Sequence, residues 1–398
     1  MRLYRLVPVS LLLLTAGCSA PLFDLAKWHR KETAPFADTI RALAFSPDGE
    51  YLASCHEYEA RPKVLSNLPY TPRAVKVWHR ASSAGRYSQL AAFPIEDNPM
   101  GPDGLRFSAD GKQLAILTER GLWFWNVDKR VLHESVVSSA MTMSYDARMA
   151  AKSVNRDGTP TADLDDGNSV AIVETSTDQP LQTLPCDGCE GACPRCFSPD
   201  GELILIAVAE KKMHPGMLAS PAMLEIWNVR DGTRQCRVAT DGRQAWQWRF
   251  SPDGKRLALM ISDHGNGTQE LYDTATGKRQ AVVMNNASNF HSQTFSPDGR
   301  LLAVGGNISK KRDDPYSALL VWDVQKAEED PMSFLFGLPS GMLGMSDGDI
   351  YALAFSPDNK FLAAGDNTGH IWFCSRHRVD EDENTFFNWE ITDPMSAN

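Results

Sequence analysis

FSPDGRLLAVG, residues 295–305, reads as the end of one strand, a tight turn and the start of another. Proline presets φ for the first turn position, and glycine accepts the left-handed conformation that the last one needs. Alone the stretch would mean little, but it recurs. FSPDG stands at 45–49, 197–201, 250–254 and 295–299, FSADG at 107–111 and FSPDN at 355–359. The interval from Phe107 to Phe197 is close to twice the others, and a worn copy fits inside it. In MSYDARMAA, from Met143, Ser144 and Asp146 keep their places, and Arg148-Met-Ala-Ala mimics Arg300-Leu-Leu-Ala. Seven copies result. Their phenylalanines are Phe45, Phe107, Phe197, Phe250, Phe295 and Phe355, with Met143 in the third copy.

The sequel repeats as well. A second apolar strand follows each turn (YLAS, QLAIL, RLALM, LLAVG, FLAAG). After a variable loop comes a third, ending in an aromatic: VKVWHR, LWFWNV, LEIWNV, QELYDT, LLVWDV and HIWFCS. The third copy has SVAIVE, without the aromatic. A turn and a fourth strand complete the unit. Four short strands per unit, evenly spaced with turn signals, predict an all-β chain. One such sheet cannot bury both faces, whereas stacking units around an axis does. The fold expected is a seven-bladed β-propeller of four-stranded antiparallel blades over 39–393, with 394–398 as a tail. The tail segment ENTFFNWEITD, 383–393, is expected to supply the last outer strand.

The pattern resembles the WD-repeat β-propeller family over most of the chain after Thr39. Trp78, Trp125, Trp227, Tyr272, Trp322 and Trp372 match its tryptophan. Asp273 and Asp323 match its aspartate, which Asn126 and Asn228 replace. No Gly-His pair precedes the first strands, so the family's buried His–Asp network is not expected. A second resemblance is to the periplasmic propeller of the Tol–Pal system, which also repeats Ser-Pro-Asp-Gly but has fewer blades and lacks the Trp-Asp ending.

The N-terminus, MRLYRLVPVSLLLLTAGCSA, has a basic start at Arg2 and Arg5, then an apolar run from Leu6 to Ala16, too short to span a bilayer comfortably. It reads as a signal peptide over 1–17. Leu14-Thr15-Ala16-Gly17-Cys18 resembles the lipobox of bacterial lipoproteins, which implies lipid on Cys18 and a tether over 18–38. Ser19, where an aspartate would retain the protein at the inner membrane, implies the outer membrane, facing the periplasm or the cell surface. Stable anchoring takes more than one acyl chain. The net charge of −10 argues against a nucleic-acid partner, whose phosphates need a basic face.

The long loops follow the second strand: residues 55–73 in copy one, 153–168 in copy three, 210–221 in copy four and 306–317 in copy six. In a propeller these share a face with the links between blades, two of which, the cysteine segment and 339–349, are also elaborate. That face is the expected working surface, since function tends to sit on loops. Its candidate residues are His56, Glu57, Tyr58, Arg61, Asp163, Asp165, Asp166, His214, Lys311, Arg312 and Met342. The expected function is non-enzymatic binding of an envelope protein, a peptide or a glycan, with membrane contact through the lipid alone and no cofactor.

Two other chemistries are carried forward. His56, Glu57 and Glu59, with His214 and His264, could serve a propeller hydrolase or lyase, although no nucleophile-elbow, zinc-protease or phosphate-loop motif occurs. Cys186, Cys189, Cys193 and Cys196 could form a metal or redox centre. Three residues between the pairs is cramped for zinc. Two local disulfides suit an oxidising compartment, and thiols remain open. Asp163, Asp165, Asp166 and Gly167 look like a calcium loop with its glycine one place early, or a solvated acidic turn. Cys55 and Cys374 are expected as buried thiols on adjoining blades, and Trp246 and Trp248 as packing residues.

Overall fold

The structure, a computed structural model, describes residues 38–58, 74–80, 87–95, 104–159, 161, 167–189, 191–209, 223–263, 266–285, 289–307, 317–325, 334–339, 349–378 and 385–388. They form seven four-stranded antiparallel sheets, each made of four strands consecutive in the chain. Blade one is β1 (Asp38–Phe45), β2 (Tyr51–Tyr58), β3 (Ala74–Arg80) and β4 (Tyr87–Pro94). Blade two is β5 (Leu105–Phe107), β6 (Gln113–Leu117), β7 (Gly121–Asn126) and β8 (Val131–Ser138). Blade three is β9 (Thr142–Met143), β10 (Met149–Val154), β11 (Ser169–Glu174) and β12 (Pro180–Pro185). Blade four is β13 (Gly191–Phe197), β14 (Leu203–Ala209), β15 (Met223–Asn228) and β16 (Thr233–Val238). Blade five is β17 (Gln244–Phe250), β18 (Arg256–Asp263), β19 (Asn266–Asp273) and β20 (Arg279–Asn285). Blade six is β21 (Asn289–Phe295), β22 (Leu301–Asn307), β23 (Ser317–Asp323) and β24 (Phe334–Pro339). Blade seven is β25 (Ile350–Phe355), β26 (Phe361–Asp366), β27 (Ile371–Arg378) and β28 (Thr385–Asn388). The tail does supply the last outer strand, with Phe386 and Phe387 opposite His377 and Arg376.

First strands lie innermost. β1 contacts β5 and β25, β13 contacts β9 and β17, and β21 contacts β17 and β25. Between blades two and three the seam is apolar, joining Leu117, Leu122 and Phe124 to Met143, Ala150 and Val173. The ring therefore closes, with one hydrophobic cluster at each of its seams. Second strands are buried on both faces, as in β14 (LILIAVA), and outer strands such as β8 (VLHESVVS) are largely exposed. The sequence follows that gradient, with continuous apolar runs near the axis and alternation at the rim. Trp78, Trp125, Trp227 and Trp322 are buried in the seams, and Trp372 packs against one.

The repeated turn explains its own residues. In all seven copies the serine hydroxyl donates to the aspartate Oδ1 at 2.5–2.7 Å. The same carboxylate accepts the backbone N–H two residues on, at 2.9–3.1 Å. The serine Oγ also accepts the N–H that opens the second strand, at 2.8–3.0 Å. Side chains thus satisfy turn donors that no strand partner reaches. The fifth motif position is left-handed throughout, with φ from 59° at Ala147 to 74° at Gly201. The worn copy has kept both hydrogen-bonding residues and tolerates alanine where a glycine fits best. Adjacent turns also touch: a Cβ on Gly111 would sit 3.7 Å from Pro47 of blade one, and one on Gly299 3.6 Å from Pro252 of blade five.

Two expectations need correction. Residues 55–58 belong to strand β2, not to the first long loop, because His56 pairs with both Ile40 and Ala74. Likewise Cys193 and Cys196 lie within β13 and not in an interblade link, because 191–197 pairs along β14. Among the described residues no helix is long and apolar enough to cross a membrane.

Candidate functional site

Antiparallel pairing gives the disc two unlike edges. The Ser-x-Asp turns join first to second strands and sit on one edge. The connections from second to third strands, and the links between blades, emerge on the other. The loop edge therefore receives 59–73, 155–168, 210–222, 308–316 and 340–349. Arg61, Asp163, Asp165, Asp166, His214, Lys311, Arg312 and Met342 lie outside the described residues, as do Cys18, Glu59 and His264, and Tyr58 is described in its backbone alone. Gly167 has a steric role of its own beside the acidic segment. A Cβ there would lie 2.3 Å from Ser153 Oγ and 2.5 Å from the Val154 carbonyl, so the chain needs glycine to return to β11.

His56 is 4% exposed and its Nε2 lies 3.0 Å from Ser54 Oγ, which also accepts the Trp78 indole N–H at 3.0 Å. Burial, and then the Lys76 charge, push its pKa down to about 3. Glu57 pairs with Arg41 of the innermost strand. These two residues do not form an open acid–base site: the histidine is neutral and helps seat a blade tryptophan. Since the folded pKa lies below the ordinary 6.5, its contribution is present above pH 6.5 and is lost as pH falls towards 3, where the unfolded chain binds the proton first. His56→Gln should accordingly flatten the decline of stability between those limits, measured by urea unfolding at a series of pH values.

The aromatic ending of each third strand is anchored by a different partner in each blade where its bond is seen. The Trp227 indole N–H donates to Glu225 Oε2 at 3.0 Å, and Glu225 also accepts Arg234 at 2.8 Å and Arg237 at 3.0 Å. The Tyr272 hydroxyl donates to Glu270 at 2.7 Å, and Trp372 donates to Asp366 at 2.8 Å. Asp366 accepts the Thr368 and His370 N–H groups as well. Residues at the family aspartate position cap the next turn: Asn126 accepts from Lys129 N–H at 2.7 Å, Asn228 from Asp231 at 2.9 Å and Asp273 from Thr276 at 2.8 Å. Asparagine does this as well as aspartate, which explains the substitutions. Asp323 accepts the Gln325 N–H at 3.1 Å and also takes Arg300 at 2.8 Å. Glu225 and Glu270 were not singled out in the sequence, yet a signal exists: each stands two residues before the aromatic, in LEIW and QELY.

Five innermost strands carry a bulge, at Arg41, Arg195, Trp246, His291 and Tyr351. Bulged residues turn away from the regular pleat, and here they bridge blades. The Arg41 guanidinium of blade one lies 4.6 Å from the Tyr351 ring centre, and His291 of blade six stacks on that ring at 4.2 Å. Arg195 lies 5.0 Å over Trp248, and Arg106 4.0 Å over Tyr145. Trp246 donates to the Phe290 carbonyl at 3.3 Å, so both tryptophans pack between blades as expected.

On the turn edge, a cleft of about 800 Å³ opens between blades two and three, lined by Asp110, Lys112, His133, Glu134, Arg148 and Glu174 among others. His133 stacks on Phe124, and the Ser135 hydroxyl closes the floor on the Thr175 carbonyl at 2.8 Å. Mixed charge around the opening suits a polar ligand better than an apolar one.

The four clustered cysteines do not converge. Cys186 and Cys189 face the seam between blades three and four, and Cys193 and Cys196 face the seam between four and five. The bulge at Arg195 places Cys193 and Cys196 on one side of β13. A four-sulfur centre is thereby contradicted, and all seven described cysteines are present as thiols. Cys55 and Cys374 are fully buried, and among the described residues no group of three or more metal-ligating side chains is placed to hold an ion.

Residues 31–58 and 339–372 match the family model for the WD domain, G-beta repeat. The first stretch covers β1 and β2, the second β25, β26 and the start of β27, and these blades are neighbours where the ring closes. Those matches and the seven-sheet ring together support a WD-repeat β-propeller. No curated protein matches the chain.

Proposed function

We propose that this protein is an exported scaffold, held at a bacterial membrane by lipid on Cys18, that binds an envelope protein, a peptide or a glycan through its loop edge. The observation that carries the reading is the asymmetry of the disc. Every Ser-x-Asp turn is short and internally bonded, whereas the three longest connections, 59–73, 155–168 and 210–222, all leave from the opposite edge, and the longest on the turn edge is 324–333. A closed ring stiffened at each seam holds those connections at fixed spacing, so binding need not order the scaffold itself. The propeller class is consistent with a binding role, while the partner is argued from the loops and not from the fold. The burial of His56 argues against it as an open acid–base group, and the division of the cysteines argues against one four-sulfur centre.

Two variants test the two halves of the proposal. Cys18→Ala should abolish acyl labelling and move the protein from the membrane to the soluble fraction. If membrane association and labelling persist, the anchor is wrong. Replacing 59–73 by Asn-Gly, which leaves the four-residue connection Glu57-Tyr58-Asn-Gly beyond the His56–Ala74 pair, should leave the fold intact and weaken capture of the wild-type protein's cross-linked partner. Undiminished capture would remove that loop from the binding surface.

A further inference from the structure

We propose that Cys186 and Cys189 are a reversible dithiol–disulfide pair, with Cys189 as the attacking sulfur and Cys186 as the resolving one. The pair sits on the tight link Cys186-Asp187-Gly188-Cys189 between β12 and β13. Cys189 N–H closes the turn on the Cys186 carbonyl at 3.3 Å. Gly188 takes the left-handed position, with φ of 82° and open space where a Cβ would be. The turn therefore holds the two residues together, and the Cys189 thiol donates to the Cys186 carbonyl at 2.8 Å. Their surroundings are unequal. Cys186 is 3% exposed in the apolar seam with Leu184, Phe197 and Trp227, while Cys189 is half-buried at its margin. An incoming disulfide thus meets Cys189 first and leaves Cys186 behind it.

The space around the pair narrows the chemistry. The cavity beside the two sulfurs is about 20 Å³, bounded by Val208, Met223, Glu225 and Arg237, room for a water and not for a cluster. Glu225 is held by two arginines and an indole. Two sulfurs are what the pocket offers, and two sulfurs close a disulfide.

Ionisation runs the same way. The hydrogen bond from Cys186 holds the Cys189 pKa below the ordinary thiol value, against the opposing effect of burial. That same bond, and then burial, raise Cys186 far above it. The lower pKa thus falls on the accessible sulfur and the higher on the hidden one, the order that exchange needs.

The oxidant is a disulfide, small or protein-borne. The Cys189 thiolate attacks one sulfur of R–S–S–R, that bond breaks, and one R–S⁻ leaves and takes a proton from water. Cys186 then gives its proton to solvent and attacks the Cys189 sulfur of the mixed disulfide, expelling the second R–S⁻, which is protonated in turn. Two thiols are oxidised by two electrons and R–S–S–R is reduced to two R–SH.

The test uses the purified full chain in glutathione redox buffers, quenched with N-ethylmaleimide and mapped by peptide mass spectrometry. As the oxidised fraction rises, a Cys186–Cys189 bridge should form first and reverse on adding reduced glutathione. In Cys186→Ser, glutathione should stay trapped on Cys189, and in Cys189→Ser, Cys186 should remain unmodified at the same dose. In the reduced wild-type chain at pH 7, Cys189 should react with the maleimide more than about tenfold faster than Cys236, a partly buried thiol whose pKa burial raises to about 11. Near-UV circular dichroism checks each variant's fold, and Cys186→Ala substitutes if the serine variant unfolds. No bridge at any ratio, preferential trapping on Cys186, or bridging of either residue to Cys193 or Cys196 would overturn the proposal.

Discussion

Gly277→Ala should destabilise the protein by about 3–4 kcal/mol, the largest effect expected of any single methyl group added to the described chain. Gly277 sits in the turn after β19, at φ of 70°. A Cβ there would lie 2.0 Å from the Arg237 carbonyl oxygen and 2.8 Å from its carbon, both backbone atoms of β16 in the preceding blade. The left-handed conformation alone costs about 1–2 kcal/mol for a residue with a side chain. Backbone displacement adds about 1–3 kcal/mol, because β16 cannot move without losing pairs to β15. The contact broken is a seam: Ala239 N–H donates to the Gly277 carbonyl at 2.9 Å, and Gln235 Nε2 to the Thr274 carbonyl at 2.8 Å. Gly299→Ala is the control. It has a similar φ but meets only Pro252 at 3.6 Å, so it should cost the conformational part alone, about 1–2 kcal/mol. Urea unfolding of both variants measures the difference. Equal effects would mean that the seam between blades four and five is not tight at its rim.

Glu270→Gln should cost about 3 kcal/mol at pH 7. The Glu270 side chain is 1% exposed. It accepts Arg243 at 2.6 and 3.0 Å, the Tyr272 hydroxyl at 2.7 Å and Thr268 at 2.9 Å, with Arg279 at 3.4 Å. A buried carboxylate is tolerated because charge-assisted donors surround it. The amide removes the charge, turns an N–H₂ towards donors and leaves the Arg243 guanidinium, itself 18% exposed, without its counter-charge. Burial acts to raise the Glu270 pKa, but the hydrogen bonds from Arg243, Tyr272 and Thr268 together outweigh it and hold it below the ordinary 4.5. A depressed carboxylate pKa contributes stability that is full above about pH 4.5 and is lost as pH falls through the folded value. The gap between wild type and variant should therefore be widest at neutral pH and narrow in acid. A gap that widens below pH 4 would show instead that Glu270 is held protonated.

The repeated turn made the fold legible, because its residues are chosen by local chemistry. Serine, aspartate and a left-handed residue each answer a backbone demand within six positions, so the motif survives even as MSYDAR. The closing strand was legible for a similar reason, since Phe386 and Phe387 mark it. What could not be read was which way side chains face once a strand leaves its regular pleat. The bulge at Arg195 keeps Cys196 on the side of Cys193, in the seam away from Cys186 and Cys189, although the sequence sets all four close together. His56 looked like the start of a loop because its neighbours are polar, yet β2 runs on and buries it beside Ser54. Glu225 and Glu270 were hidden because a glutamate in a strand reads as surface until its arginines, nine and more residues away in sequence, are brought across the sheet.

A scaffold of the proposed kind meets its partners on the loop edge of the disc and not on the turn edge. Site-specific photo-cross-linking in cells distinguishes the two edges, with the cross-linker placed at Arg61, His214 or Arg312 on the loop side and at the exposed Lys112, Arg148 or Lys360 on the turn side. Adducts of one reproducible mass from the loop positions, with none from the turn positions, are the predicted result. Adducts from the turn positions alone would contradict the proposal and move the binding surface to the edge that carries the cleft between blades two and three.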